Sequence, residues 1–472
     1  MDAPGRAGSA RWTRTPTRGP THPRSRDRDH TPAPPPAHPP RRPRRVRPGR
    51  RRRRRSRRGR RTGPRRHRPR ARPRRRRPHR RRRPAPPPET APPPPRPPPP
   101  DPPPPPDPPP PPPPGAGPRP PHLRLPAPTG DHPVGTAQLL LTDPARTDAW
   151  APTPRPRELR ARLWYPAAPG ARGPHEPWMS PAETAHLQAA YFNVPDARLT
   201  WPTTHARPGA PADRTRRHPV VLNSHGSGAD SSFNTALAEE LASHGHVVAA
   251  LDHTFDAGEV EFPGHRLEVR EKARVQAMTD AEIVAYRAAD TRLLLDRLHQ
   301  GPLPAGLDDA LDLDAVGMFG HSMGGATTAQ ALHDDPRILA GAVLDGPLFG
   351  TSATADQTRP LLLMASAWDS PARDTMWDTL WPHLTGWRRR LTLTRSGHLS
   401  YCDLQLLVPQ GQPAFAWPAD QLEHFLGTGD PHRAVAAQRA YLTAYFDLHL
   451  RAIPTTLLDA PSPHWPEIRF DA

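Results

Sequence analysis

From residue 122 onward, short apolar runs alternate with longer segments whose apolar residues recur at helical spacing. This alternation is typical of parallel β/α units, so it predicts an α/β fold with a mostly parallel central sheet flanked by helices. Two early runs, 134–143 and 158–166, predict strands that lie antiparallel at the sheet edge. Further strands are predicted at 218–228, 246–253, 315–319, 340–346, 360–369 and 388–398, and helices at 233–245, 270–299 and 432–451.

The first 121 residues differ from the rest in composition and charge. They hold 37 Arg and no Lys against 6 acidic residues, whereas the remaining residues include 30 basic and 40 acidic ones. Because residues 1–121 contain almost no aliphatic or aromatic side chains, they cannot bury enough apolar area to offset the entropy of ordering. We therefore predict a disordered Arg-rich and Pro-rich region at 1–121 and one globular domain at 122–472.

Two interpretations of the Arg-rich run stay open. The run could bind nucleic acid or an acidic membrane, because arginine pairs with phosphate regardless of sequence. The chain also has one lysine, Lys272, beside 66 arginines, which indicates GC-rich coding DNA. If the start site has been assigned too far upstream in such DNA, translation would give a similar Arg-rich and Pro-rich sequence. Residues 1–121 would then have no function.

The sequence carries no signal for export, for a membrane span or for a zinc site. No apolar segment follows Met1 and no run of 18 apolar residues occurs, so neither a signal peptide nor a transmembrane helix is predicted. The expected location is cytoplasmic, or extracellular if the true start lies elsewhere. Cys402 is the one cysteine, which rules out an intrachain disulfide, and no Cys pair or HExxH helix suggests a metal.

The stretch AVGMFGHSMGGATTAQAL at 315–332 carries the strongest chemical signal. Ser322 stands between Gly320 and Gly324, after an apolar strand-like run and before small, helix-compatible residues. Glycines at these two positions permit a sharp strand-to-helix turn that exposes the serine oxygen. A serine becomes a nucleophile when a base takes its proton and N–H donors hold the resulting oxyanion. The alternative is a polar residue in a tight glycine turn.

Several motifs, taken in order, resemble those of the α/β-hydrolases of the platelet-activating-factor acetylhydrolase family, isoform II type, and the related actinobacterial lipases. The resemblance spans 122–472 and rests on LPAPTGDHPVGT, RLWYPA, NSHGSG, LDHTFD, FGHSMGGAT, LDG and SGH. It implies an α/β-hydrolase fold and a serine esterase or lipase that forms an acyl-enzyme. That chemistry requires neither a metal nor an organic cofactor.

The resemblance also implies the residues that work with Ser322. It implies Asp345, in LDG, as the acid and His398, in SGH, as the base. The order Ser, Asp, His fits this fold, and the acid fixes the tautomer of the imidazole. Strand counting alone instead favours Asp369, which follows the next strand, so Asp369 stays open as an alternative acid.

The glycine-rich loop at 225–228 is where the resemblance places one half of an oxyanion hole. The implied donors are the backbone N–H groups of Ser227 and Met323. Three nearby histidines are not expected to act as the base: His225 would orient the loop, His321 would pack, and His253, with Asp256, would shape the pocket wall.

We therefore expect a serine carboxylic-ester hydrolase that acts on a short-acyl lipid of the platelet-activating-factor type or on a simple ester. The alternative from another class is a polyanion-binding protein, in which the Arg-rich arm binds nucleic acid or an acidic membrane and the hydrolase domain is secondary. No dedicated protein partner is predicted.

Overall fold

The computed structural model describes residues 120–471. The predictions for the Arg-rich and Pro-rich segments, polyanion binding included, concern residues that lie outside this range, apart from 120 and 121. The described strands are β1 Val134–Thr147, β2 Pro156–Pro166, β3 Arg207–Pro208, β4 His218–Ser224, β5 Val247–Asp252, β6 Glu259–Phe262, β7 Arg266–Val269, β8 Leu311–His321, β9 Ile338–Leu344, β10 Leu361–Ser366, β11 Arg388–Leu393 and β12 Ile468–Phe470.

Ten of these strands form one sheet, and its interior is parallel as predicted. The strand order is β12-β11-β10-β9-β8-β4-β5-β2-β1-β3, and the strands from β11 to β5 all run parallel. The two early strands, β1 and β2, pair antiparallel with each other, and β2 pairs antiparallel with β5. The short β3 closes one edge, β12 lies antiparallel on the other, and β6 and β7 form a separate hairpin.

Helices cover both faces of the sheet, because the inner strands are apolar on both sides. In β4, Val220 and Leu222 pack into the core on one face, whereas Val221 packs into the core on the other. The first core includes side chains of α4 and α5, and the second includes those of α2 and α9. The described helices are α1 Pro181–His186, α2 Thr235–Ser243, α3 Lys272–Gln276, α4 Asp280–Gln300, α5 Met323–Asp334, α6 Pro371–Leu380, α7 Leu404–Phe415, α8 Ala419–Leu426 and α9 Pro431–Arg451.

The helix predicted at 270–299 is two helices in the structure. Thr279 starts α4 with a capping box: its side chain accepts from the backbone of Glu282, and the Glu282 side chain accepts from the backbone of Thr279. This local pairing favours a new helix start over continuation from α3. None of the helices between residues 120 and 471 is long and apolar enough to cross a membrane.

A third apolar cluster joins α7 and α8 to the chain around α1. It contains several large aromatic side chains, Trp178, Phe192, Phe233 and Phe415 among them. α8 also contacts the short 3-10 turn at 398–401 that follows β11. The cluster therefore supports one side of the edge where the parallel strands end.

Candidate active site

Ser322 lies at the junction of β8 and α5. Its backbone has φ 56° and ψ −123°, a conformation that residues with a side chain rarely adopt. Glycines make the turn possible: a Cβ on Gly320 would lie 2.2 Å from the carbonyl oxygen of Gly324, and one on Gly324 would lie 1.9 Å from that of Ser224. The strand-turn-helix context expected for a serine nucleophile is therefore present, with Ser322 half-buried.

His398 and Asp345 meet beside this turn. Asp345 follows β9, His398 follows β11, and His398 Nδ1 lies 2.6 Å from Asp345 Oδ2. The ionised carboxylate only accepts hydrogen bonds, so Nδ1 carries the proton and Nε2 is left as an acceptor. The backbone N–H of Ser322 donates to the carbonyl oxygen of Leu344 at 2.9 Å, which ties the serine turn to the end of β9.

The carboxylate of Asp345 is buried and held by further donors. Its Oδ1 accepts from the backbone N–H of Ser366 at 2.8 Å and from the guanidinium of Arg373. Burial would raise the pKa of Asp345, but the hydrogen bond from His398 and the charge of Arg373 outweigh it and lower this pKa to about 2. Asp345 is therefore ionised at neutral pH, as an acid that orients an imidazole must be.

The alternative acid, Asp369, lies in a different setting. It is exposed, in the turn between β10 and α6. The Nδ1–H group of His398 donates its hydrogen bond to Asp345. The structure thus brings His398 together with Asp345 and leaves Asp369 facing solvent.

The loop at 225–228 lies against the serine turn. A Cβ built on Gly226 would be 3.4 Å from the Cβ of Ser322. The Ser227 side chain donates to Asp256 Oδ1 at 3.2 Å and accepts from Arg270 at 2.6 Å. Met323 is the first residue of α5, directly after Ser322. Both residues expected to supply backbone N–H groups are therefore neighbours of the serine turn.

The neighbouring histidines are buried and neutral. Burial lowers the pKa of His321 to about 3, and His321 Nε2 donates to the backbone oxygen of His398 at 2.8 Å. Burial also lowers the pKa of His225 to about 3 and that of His253 to about 4. His253 and Asp256 are fully buried and contact the loop at 225–228: the backbone N–H of His253 donates to His225 Nε2 at 3.1 Å, and Asp256 accepts from the Ser227 hydroxyl at 3.2 Å.

Two residues near the site escaped the sequence analysis. Arg373, on α6, holds Asp345, and the ring centroid of Trp368 lies 5.7 Å from that of His398. Trp368 also meets His424 of α8 edge to face at 5.4 Å. Trp368 stands one position before Asp369 at the end of a predicted strand, a position that could have drawn attention to it; for Arg373 no sequence signal exists.

We expect that replacing Arg373 by Met lowers the free energy of unfolding by on the order of 3 kcal/mol at neutral pH, because a buried carboxylate loses its cation. The depressed pKa of Asp345 stabilises the fold above about pH 4, and this stabilisation is lost as the pH falls toward about 2. The difference in the free energy of unfolding between parent and variant should therefore decrease as the pH falls from about 4 to about 2. Urea unfolding at pH 3 and pH 7 measures it.

The matched control for this prediction is Arg390→Met. Arg390 and Arg373 both donate to Asp374. Among its hydrogen bonds within the described chain, Arg390 makes none to Asp345. A loss of stability in Arg373→Met that is the same at both pH values would contradict the role given to the Arg373 charge.

Comparisons with known proteins agree with this geometry. Residues 119–262 and 258–412 match the family described as platelet-activating factor acetylhydrolase, isoform II. A probable 1-alkyl-2-acetylglycerophosphocholine esterase of Arthroderma benhamiae is 24% identical over 379 residues, which cover 74% of this chain and 94% of that protein. A platelet-activating factor acetylhydrolase of Bos taurus is 30% identical over 202 residues, which cover 34% of this chain and 41% of that protein.

A solved structure is also similar to this chain. A ferulic acid esterase from Streptomyces cinnamoneus is 38% identical with a TM-score of 0.66, over 74% of this chain and 99% of that one. The expected serine carboxylic-ester hydrolase class and the expected α/β-hydrolase fold are thereby confirmed. None of these similarities supports the polyanion-binding alternative.

Proposed function

Because the chain belongs to the platelet-activating factor acetylhydrolase, isoform II family and is a carboxylic-ester hydrolase, we propose that Ser322 is its nucleophile, His398 its general base and Asp345 the acid that orients His398. The observation that carries this proposal is the 2.6 Å hydrogen bond between His398 Nδ1 and the buried Asp345 carboxylate, beside a serine in a positive-φ turn. Asp369, exposed at the next strand end, is the acid that this proposal rejects.

The reaction proceeds in two steps. Ser322 Oγ attacks the ester carbonyl while His398 Nε2 takes the serine proton, and the backbone N–H groups of Ser227 and Met323 hold the oxyanion. The tetrahedral intermediate then collapses, and the leaving alcohol receives the proton from His398. Water repeats the path on the acyl-enzyme, with His398 again taking and returning a proton. Asp345 stays ionised and stabilises the imidazolium in both steps.

The substrate class that we propose is a short-acyl ester, either an acetylated phospholipid or a simple acetate. Support comes from the relative named as an esterase of 1-alkyl-2-acetylglycerophosphocholine, because the match covers 94% of its length. The test is hydrolysis, by the full chain, of p-nitrophenyl esters from acetate to palmitate and of 1-alkyl-2-acetylglycerophosphocholine. We expect the acetyl esters to be cleaved fastest. A folded chain that cleaves none of these esters would refute the proposal.

A second candidate substrate is an ester with an aromatic acyl group. One observation that favours it is the Trp368 ring, which lies next to His398 and meets the ring of His424 edge to face. An aromatic acyl group bound there would stack on or meet the edge of these rings, an interaction worth about 0.5–1.5 kcal/mol beyond burial. The similar solved structure is a ferulic acid esterase, so methyl ferulate is the natural probe.

For this second candidate, we expect Trp368→Ala to lower kcat/KM for methyl ferulate by about tenfold, the equivalent of ~1.4 kcal/mol, while kcat/KM for p-nitrophenyl acetate stays within about twofold. Steady-state kinetics with both substrates measure the ratio. Trp465→Ala is the control, since Trp465 is another half-buried tryptophan that packs on Arg433, near the chain end. An equal loss on both substrates would mean that Trp368 supports His398 and does not contact the acyl group.

A further inference from the structure

Arg287 is a fully buried arginine on α4 whose guanidinium reaches the loop at 225–228. It donates to the carbonyl oxygen of His225 at 2.6 Å and lies 3.5 Å from that of Gly226. It also forms an ion pair with Asp256, which is itself fully buried. A charged side chain of helix α4 thus ends on the backbone of this loop.

Asp256 holds the same loop from a second direction. Its carboxylate accepts from the hydroxyl of Ser227 at 3.2 Å, and its backbone oxygen accepts from the N–H of Gly228 at 3.1 Å. The charge of Arg287 keeps the carboxylate ionised: burial would raise the pKa of Asp256, but the charges of Arg287 and Arg270 lower it to about 2. The Arg287–Asp256 pair therefore contacts the loop at consecutive residues.

A second set of buried charged and polar groups lies beside this pair. Asp290, one turn after Arg287 on α4, accepts two hydrogen bonds from Arg157 of β2, at 3.2 and 2.7 Å. Asp290 also lies 3.0 Å from Nδ1 of His253, whose Nε2 lies 2.9 Å from the hydroxyl of Ser224. With the pKa of His253 lowered to about 4 by burial and by the charge of Arg287, the ring is neutral, with its proton on Nδ1.

Stability alone does not account for such an arrangement. A buried ion pair is often no more stabilising than apolar side chains of the same volume, because both charges lose their hydration. What the Arg287–Asp256 pair does supply is a fixed orientation of the peptide planes in the loop. A peptide unit is planar, so the carbonyl of Gly226 and the N–H of Ser227 belong to one rigid plane and point in opposite directions. Donors that hold the Gly226 oxygen therefore aim the Ser227 N–H.

From this geometry we infer that Arg287, braced by Asp256, is a positioning residue that fixes the 225–228 peptide planes and so aims the Ser227 N–H at the oxyanion of the reaction. The inference rests on the proposed function. His225 acts on the same plane, since its Nδ1 donates to the Gly226 oxygen at 2.7 Å while its Nε2 accepts from the backbone N–H of His253 at 3.1 Å.

The test is Arg287→Lys in the full chain, with three readouts: kcat and KM for p-nitrophenyl acetate, the inhibition constant of an alkyl trifluoromethyl ketone, and urea unfolding. Lysine keeps the charge for Asp256 but has one ammonium in place of the guanidinium fork that spans two carbonyls. The ketone adds to the serine as an oxyanion, so its affinity reports the hole directly. Loss of a whole donor costs about 10²- to 10³-fold in kcat.

We expect kcat of Arg287→Lys to fall by about ten- to a hundredfold, less than for a deleted donor, with KM within about twofold and the ketone weakened by the same factor as kcat. The matched control is Arg439→Lys: Arg439 is also buried and donates to the carbonyl oxygens of Ala236, Ala127 and Pro126, away from the loop. This control should lose stability and keep kcat.

Two results would overturn the inference: a folded Arg287→Lys with parental kcat, or a lower kcat with unchanged affinity for the ketone. If the lysine variant does not fold, Asp256→Asn takes its place, since it keeps the shape and removes the charge that braces Arg287. Its kcat and ketone affinity are expected to fall together, by about threefold or more, and a parental value of both would equally overturn the inference. Failure of the proposed function would look different, because Ser322→Ala would then retain the parental activity.

Discussion

Replacing Ser322 by Ala is expected to lower kcat for every ester by on the order of 10⁴- to 10⁶-fold, with the fold intact. The proposed acyl-enzyme is formed on Ser322 Oγ, so without this atom no covalent intermediate exists and only direct attack by water, aided by the oxyanion donors, remains. Removal of one hydroxyl from a half-buried side chain leaves the packing of β8 and α5 unchanged. Initial rates with p-nitrophenyl acetate, alongside urea unfolding, measure both expectations.

The control for this variant is Ser352→Ala. Ser352 is a buried serine in another turn, where its hydroxyl donates to the backbone oxygen of Phe349. This variant should hydrolyse esters at the parental rate. A Ser322→Ala protein with more than about a tenth of the parental kcat would contradict the proposed nucleophile, since such a residue normally contributes several orders of magnitude.

The second large effect is expected for Asp345→Asn. An asparagine of the same shape reverses the hydrogen bond to His398 and favours the wrong tautomer of the ring, a change that costs on the order of 10⁴ in kcat in a comparable triad. The 2.6 Å distance to His398 Nδ1 and the buried position of Asp345 indicate that no water can substitute for the carboxylate. The measurement is kcat for p-nitrophenyl acetate at pH 7 to 9.

Asp369→Asn is the matched partner of this experiment, because the same substitution is made at the exposed alternative acid. It should leave kcat within about twofold, in the range of surface substitutions away from a site. The opposite pattern, with activity lost in Asp369→Asn and kept in Asp345→Asn, would transfer the role of the acid to Asp369. That outcome would require His398 to abandon the Asp345 contact that it makes here.

The sheet was accessible from the sequence because its strands are short apolar runs closed by glycine or by a polar residue. β4, β5, β10 and β11 lie within the predicted ranges, β9 begins two residues before its predicted start at 340, and the antiparallel pairing of β1 and β2 was anticipated. Helix boundaries were harder to predict where the helical spacing of apolar residues continues past an N-cap residue. The break before α4 depends on the side chains of Thr279 and Glu282, which compete locally with helix continuation.

The acid could not be chosen from spacing, because Asp345 and Asp369 both follow strands that end at the same edge of the sheet. What separates them is three-dimensional: Asp345 is buried against Ser366, Arg373 and His398, whereas Asp369 faces solvent. Such a difference in burial depends on residues distant in sequence. A rule that only counts strands therefore cannot distinguish Asp345 from Asp369.

Arg287 could have been noticed, since it occupies the apolar stripe of its helix. The buried positions of α4 include Ile283, Arg287, Asp290 and Leu294, so two opposite charges stand among aliphatic residues at helical spacing. Charges on such a stripe indicate a buried ionic group. The partners of Arg287, however, come from the turn after β5 and from the loop at 225–228, and Asp290 is bound by Arg157 of β2. Only the folded chain brings these segments together.

The central claim is that Ser322 carries the acyl group, and covalent labelling with a fluorophosphonate tests it most directly. Such reagents form a stable bond to an activated serine oxygen, and peptide mass spectrometry locates the adduct. We expect one adduct per chain, on Ser322, that appears in step with the loss of esterase activity and is absent from Ser322→Ala. An adduct on another residue that accounts for the lost activity, or full activity after complete modification of Ser322, would contradict the account.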